Sequence, residues 1–171
     1  MVRKVIFLGS GLFLALFISP IEQKAHFKVL KVLDGDSVIL QNAQGKLKAR
    51  LLYIDAPELT QRDLKGEVAV GINARAYLEH LIGGREVKVL VKGRDIYRRG
   101  LVRIWAQDND INLAMVAAGH AIIYPSSRFE WMSEKIRYLR AFHLSRLQKL
   151  GMWKTSGLMN PYHYRRHKKK H

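Results

Sequence analysis

The chain has 171 residues, with 30 Lys plus Arg against 14 Asp plus Glu, a formal net charge of +16. This length predicts one domain with a sizeable core, and the charge favours a polyanionic partner, either nucleic acid or an anionic membrane surface. The sequence has no cysteine, which excludes disulfides, a thiol nucleophile and Cys-ligated zinc.

The N-terminal segment, residues 1–25, is expected to direct export. Arg3 and Lys4 precede 14 mostly apolar residues at positions 5–18. That run is short for a membrane span and has the length typical of a signal peptide. No A-x-A-like cleavage site follows it, so a cleaved signal peptide and an uncleaved membrane anchor both remain open. The protein is accordingly predicted to be secreted or held at the membrane by residues 5–18.

Five segments between residues 27 and 107 are predicted as strands, because they are rich in β-branched or aromatic residues and are separated by turn signals. They read FKVLKVL, SVILQN, KLKARLLYI, REVKVLVKG and RGLVRIWAQ. Asp34-Gly35, between the first two, is the strongest short hairpin signal.

Helices are predicted between and after these strands. The segment GEVAVGINARAYLEHLI has apolar residues at helical spacing and stops at Gly83-Gly84. A short helix is predicted over 112–118, with Asn112 as its N-cap, and a long one over about 127–150. Five strands with about three packed helices predict a mainly β, α+β fold, namely a small closed barrel of the OB type.

The predicted domain spans residues 26–155. Residues 156–171, which end in YHYRRHKKKH, form a basic tail that we expect to be disordered. Such a tail adds salt-dependent affinity for nucleic acid.

Two pairs of acids stand out in this basic chain. In DGDS, Asp34 suffices for the turn, yet Asp36 follows at the start of a strand, where Asp is disfavoured. In RLLYIDAPEL, Asp55 and Glu58 follow the third strand, and the intervening proline favours an extended turn that exposes both. Taken singly, each acid is an ordinary turn residue.

Together, DGDS, RLLYIDAPE, YRRGL and KLGMW, in this order, resemble the staphylococcal nuclease (thermonuclease) family. The resemblance covers most of residues 27–154. Its densest part is an arginine five residues before an Asp-x-Pro-Glu turn. The family has an OB-type barrel with three helices, and the resemblance implies a calcium-dependent endonuclease that acts on DNA and RNA and leaves 3′-phosphates. We expect a monomer.

The resemblance also implies roles for individual residues. By motif position, the Ca²⁺ ligands would be Asp36, Asp55 and the carbonyl of Ala56, where the family has threonine. The general base would be Glu58, and the phosphate-binding arginines would be Arg50 and Arg99.

Three further residues are implied as substrate contacts. Tyr97 stands where the family has a tyrosine near the phosphate, and Arg98 is an additional arginine that could contact another phosphate. Tyr124, in AIIYPSSRF, is an approximate match to the family's base-stacking tyrosines, with Pro125 in place of a neighbour.

Two other functions remain as alternatives. A non-catalytic nucleic-acid-binding module of the same family would lack the acids and arginines, and their presence here favours the enzyme. A membrane-tethered basic protein with anionic lipid as its partner is the third interpretation.

Overall fold

The computed structural model of the chain describes residues 24–62, 69–155 and 159–168, without the side chains of 166–168. The predicted export segment lies outside the described residues except for its last two positions. Within the described ranges, none of the helices has the length and apolar character needed to span a membrane.

All five predicted strands form, and three two-residue strands accompany them. In chain order the strands are β1 (Ala25–Val32), β2 (Ser37–Asn42), β3 (Gly45–Leu51), β4 (Ile54–Asp55), β5 (Glu86–Arg94), β6 (Gly100–Ala106), β7 (Asn109–Asp110) and β8 (Ile122–Ile123). The short strands depend on long-range pairing, such as Ile54 with Ile123, which local sequence patterns do not report.

The five long strands close into a mixed barrel. β1 pairs antiparallel with β2 and β5, β2 with β3, and β5 with β6. A parallel pairing of β3 with β6, in which Ala49 is opposite Gly100, closes the sheet on itself. The predicted OB-type barrel is therefore confirmed.

The barrel interior is filled by alternate residues of the strands, as expected for a half-buried pleated sheet. α1 and α2 also contribute to this core. Its fully buried members include Val29, Val32, Leu40, Leu51, Leu78, Ile104 and Met115.

The three predicted helices are present as α1 (Val70–Ile82), α2 (Ile111–Ala117) and α3 (Met132–Leu147). A 3₁₀ helix, Gly151–Lys154, follows α3. α3 begins at residue 132 and not at 127, because residues 124–131 form an irregular segment with a turn and a bend.

Asn112 is not the N-cap of α2, as the sequence had suggested. The cap is Asp110, whose side chain accepts a hydrogen bond from the Leu113 amide at 3.1 Å. Asn112 is fully buried instead. Its amide group donates to the carbonyls of Leu52 (3.0 Å) and Val102 (2.9 Å), so it fastens the end of β3 to β6.

Part of the C-terminal tail that the sequence analysis expected to be disordered, residues 161–168, is helical in the structure and forms α4 (Pro161–Lys168). Pro161 stands at the first helical position, where its missing N–H costs nothing. The Asn160 side chain accepts a hydrogen bond from the Tyr162 amide at 2.9 Å. A start signal of this kind, together with contacts to the barrel described below, is enough to order a short basic helix.

Candidate active site

The β2–β3 hairpin brings Arg50 to Asp36. Arg50 is opposite Ser37 in the strand register, and the Leu51 amide donates to the Asp36 carbonyl at 2.8 Å. The Arg50 guanidinium binds the Asp36 carboxylate through both terminal nitrogens. Nη1 lies 3.1 Å from Oδ1, and Nη2 lies 3.0 Å from Oδ2. This two-point geometry is the strongest form of an arginine–carboxylate pair.

Asp55 joins the same guanidinium from β4. Its side chain is completely buried, and Oδ1 lies 2.5 Å from Arg50 Nη2. The adjoining Ala56 amide donates to Asp36 Oδ2 at 3.0 Å. The structure thus gathers three of the predicted residues, Asp36, Asp55 and Ala56, around Arg50, although Asp36 and Ala56 are twenty positions apart in the chain.

The turn that precedes Asp55 has a strained backbone, which aromatic packing stabilises. Tyr53 has φ +72°, a conformation that is uncommon for a bulky side chain. Its ring stacks on Phe129 at 4.3 Å and meets the Tyr138 ring edge-on at 5.7 Å. Packing of the Tyr53 ring against these two rings therefore stabilises the turn that places β4 at the site.

Glu58 lies on the loop after β4, at the edge of the site. Its side chain is 39% exposed. Gly71, at the start of α1, packs so tightly on the Glu58 backbone that a Cβ at position 71 would collide with the Glu58 carbonyl. Glu58 is thus positioned by helix packing but keeps its carboxylate within reach of solvent.

Asp34 supports the site without contacting the arginine. Its Oδ1 accepts from the Asp36 amide at 2.9 Å, which fixes the turn before β2. Burial, and secondarily the neighbouring Asp36 carboxylate, raises the pKa of Asp34 to about 6.

Gly35→Ala is expected to destabilise the protein by about 1–3 kcal/mol, the usual cost of overpacking. A Cβ at position 35 would lie 2.6 Å from the Ala56 Cβ and 2.8 Å from the Ala74 Cβ, so α1 or the 55–58 turn must shift. Urea denaturation measures the change. Gly93→Ala, whose added methyl meets nothing within 4 Å, is the control and should stay within about 0.5 kcal/mol of the parent. Equal losses in the two variants would contradict the packing argument.

Burial and ion pairing have opposite effects on the pKa values of the charged groups in this cluster. Burial raises the pKa of Asp55, and the neighbouring arginines oppose this rise without cancelling it. Burial lowers the pKa of Arg50, but the charges of Asp36 and Asp55 outweigh it, so the pKa is raised overall. The arginine therefore stays charged while buried.

Arg165, which the sequence analysis missed, also reaches the acids. From α4 its Nη2 contacts Asp55 Oδ1 and its Nη1 lies 2.9 Å from Glu58 Oε1. Burial lowers its pKa, but its bonds and charge interactions with Asp55 and Glu58 raise it overall. The one sequence signal for this contact was Asn-Pro at 160–161, a helix start that would have ordered the tail.

Arg99, Tyr97 and Arg98 form a separate group on the loop between β5 and β6. Asp95 organises it: Arg99 Nε donates to Oδ2 at 2.8 Å, and the Tyr97 amide donates to Oδ1 at 2.9 Å. Slight burial of Asp95 is outweighed by these bonds, so its pKa is lowered. Arg98 is exposed, with φ +61°. The β3–β6 register sets this loop beside Arg50, but the Arg99 guanidinium is turned to Asp95.

Tyr124 directly follows β8, the strand that pairs with β4. The β4–β8 pairing, in which Asp55 is opposite Ile122, fixes its position. The Tyr124 amide donates to the Tyr53 carbonyl at 2.8 Å. Its ring meets the Tyr162 ring of α4 at 6.1 Å and 71°.

The predicted Ca²⁺ ligands fit a hard cation chemically. Asp36 and Asp55 offer carboxylate oxygens, which Ca²⁺ prefers. Asp55 Oδ2 is buried and has no hydrogen-bond partner within the described part of the chain, and a cation would satisfy it. In those same ranges, no three His, Cys, Asp or Glu side chains are arranged to hold a metal. Any such ion would thus need backbone or water oxygens as well.

Comparison with known proteins gives a consistent result. A family model described as "Staphylococcal nuclease homologue" matches residues 48–155. An "Uncharacterized endonuclease" of Haemophilus influenzae is 30% identical over 168 residues, covering 98% of this chain and 88% of its own. An "Uncharacterized endonuclease" of Escherichia coli O157:H7 is 29% identical over 144 residues, covering 84% and 86%. A "Micrococcal nuclease" of Shigella flexneri is 32% identical over 149 residues, covering 81% and 79%.

Proposed function

Since this chain belongs to the staphylococcal nuclease homologue family, we propose that it is a calcium-dependent endonuclease that hydrolyses phosphodiester bonds of DNA and RNA and leaves 3′-phosphates. The observation that carries this proposal is the cluster in which Arg50 joins Asp36 to the buried Asp55. A site of two close carboxylates and a guanidinium can hold both a cation and a phosphate.

In this proposal the acids bind the cation. Asp36, Asp55 and the Ala56 carbonyl would hold Ca²⁺, which supplies positive charge against the phosphodiester and its attacking hydroxide. Carboxylates remain ionised readily beside such a charge. This explains why a strongly basic protein keeps acids at the base of its site.

Glu58 is proposed as the general base. Its half-exposed carboxylate lies on the loop that follows Asp55, so it can accept a proton from a water molecule on the solvent side of the site. Arg50 would release one carboxylate and bind phosphate oxygens. Arg99 would likewise leave Asp95 and bind the same phosphate. Two guanidiniums stabilise the additional negative charge that develops as phosphorus becomes five-coordinate.

The remaining predicted residues would hold the nucleic acid. Tyr97 and Arg98 lie on the exposed 95–99 loop, where they can contact a backbone phosphate. Tyr124 is proposed to stack on a base, because aromatic faces accept any base without sequence preference. Action as a monomer is part of the same proposal.

Export by residues 1–25 is also part of the proposal, as a secreted or membrane-held enzyme. A purely lipid-binding role gains no support from the acid cluster. A non-catalytic nucleic-acid-binding module would bind DNA through the same basic surface, and the following experiment separates it from the enzyme.

Calcium is expected to switch on cleavage of single-stranded DNA by the full chain, and chelation with EGTA to abolish it. Gel electrophoresis of end-labelled DNA measures the cutting. The fragments should prime a polymerase only after phosphatase treatment, because a 3′-phosphate blocks extension. Binding without calcium-dependent cutting would favour the non-catalytic module, and cutting in EGTA would contradict the metal assignment.

A further inference from the structure

The C-terminal helix α4 places the positively charged guanidinium of Arg165 in the proposed metal site. Arg165 contacts Asp55 and Glu58, the buried acid and the proposed base. The match to the family model ends at residue 155, so α4 lies beyond the part of the chain that this model covers.

The helix is docked on the site at several points. The Gln61 side chain donates to the Met159 carbonyl at 2.6 Å, and the hydroxyls of Tyr164 and Thr60 lie 3.4 Å apart. Tyr162 packs edge-on against Tyr124. Thus α4 touches the loop that bears Glu58 and also the proposed base-stacking residue.

The charges of the cluster do not accommodate both Arg165 and a divalent cation. Asp36, Asp55 and Glu58 supply −3, and Arg50 with Arg165 supplies +2, which leaves −1. A divalent cation would bring the sum to +1 with Arg165 in place and to 0 without it. Like charges repel strongly in a partly buried site, where water screens them little.

We propose that Arg165 is the internal cation of the metal-free site, and that it and the divalent cation bind Asp55 and Glu58 in competition. This inference rests on the proposed calcium site. Cation binding then releases Arg165, and with it the contact of α4 on Glu58, so that the general base becomes free only when the metal is loaded. Because coupling between two binding events is reciprocal, docked α4 must equally weaken cation binding.

Isothermal titration of Ca²⁺ into the full chain tests the competition directly. Arg165→Gln is expected to bind Ca²⁺ at least 10-fold more tightly than the parent, and Arg165→Lys, which keeps the charge, to remain closer to the parent. Arg140→Gln removes one exposed charge from α3 and should stay within about twofold. Equal or weaker Ca²⁺ binding by Arg165→Gln would overturn the inference but leave the calcium site standing. Absence of Ca²⁺ binding in the parent and in Arg165→Gln alike would overturn the calcium site as well.

Hydrogen exchange gives a second measure that does not depend on the variant folding well. In the parent, adding Ca²⁺ is expected to speed amide exchange in peptides covering 159–168, because α4 loses its ion pairs. Slower or unchanged exchange there, at a Ca²⁺ concentration that saturates the titration, would contradict release of the helix.

Discussion

Glu58→Gln is expected to lower kcat for calcium-dependent DNA cleavage by about 10²–10⁴, the usual contribution of a general base. Glutamine keeps the shape and the hydrogen-bonding oxygen but cannot accept the proton. KM should change little, since Glu58 is assigned to the water molecule and not to the nucleotide. Initial rates on end-labelled single-stranded DNA under saturating Ca²⁺ measure the effect.

The control for this variant is Glu79→Gln, which removes an exposed acid from α1 and should cut DNA at the parent rate. Thermal unfolding would confirm that both variants are folded. If Glu58→Gln retained more than a tenth of the parent kcat, Glu58 would not be the general base.

Arg50→Gln is expected to have two large effects. First, kcat should fall by about 10²–10³, as when one oxyanion-type donor is removed. Second, the metal-free protein should lose about 3–5 kcal/mol of unfolding free energy, because Asp36 remains buried without its arginine and Asp55 retains only Arg165 as a partner. Activity assays and urea denaturation in EGTA measure the two effects separately.

Calcium should restore part of that lost stability, since the cation replaces the missing positive charge beside the acids. Lys48→Gln, an exposed change on the same strand, is the matched control and should leave the free energy of unfolding within about 0.5 kcal/mol. An Arg50→Gln protein as stable as the parent in EGTA would contradict the ion-pair network.

The barrel was predicted from local patterns of the sequence, whereas the residues of the candidate site were grouped only by the resemblance to the family. Alternating apolar strands and the turn at Ala43-Gln44, between Asn42 and Gly45, set the register of the β2–β3 hairpin, and that register places Arg50 opposite Ser37, next to Asp36. Asp55 follows β3 so closely that a short reversal suffices to bring it back. These short-range connections are the physical reason why Asp36, Arg50 and Asp55, which the resemblance had grouped, lie close together in the structure.

What the sequence did not predict depends on distant partners. Arg165 is one of many basic residues in the tail, and only the docking of α4 on the 58–61 loop distinguishes it from the others. The orientation of Arg99 depends on its ion pair with Asp95 in the same loop, which the motif alone does not indicate. Asn112 has a cap-like position in the sequence, but its buried hydrogen bonds to Leu52 and Val102 are long-range.

The parallel closure of β3 on β6 has a consequence for how the protein folds. The Leu52 amide meets the Val102 carbonyl at 2.8 Å, and about fifty residues of chain must be arranged before this pair can form. Non-local pairing of this kind is slow and comes late, after the hairpins. It is also the step that brings the Arg99 loop beside Arg50. A nascent or partly folded chain would hold the acids of the first hairpins without the second arginine in place, so the capacity to cut nucleic acid would arise only with the completed barrel.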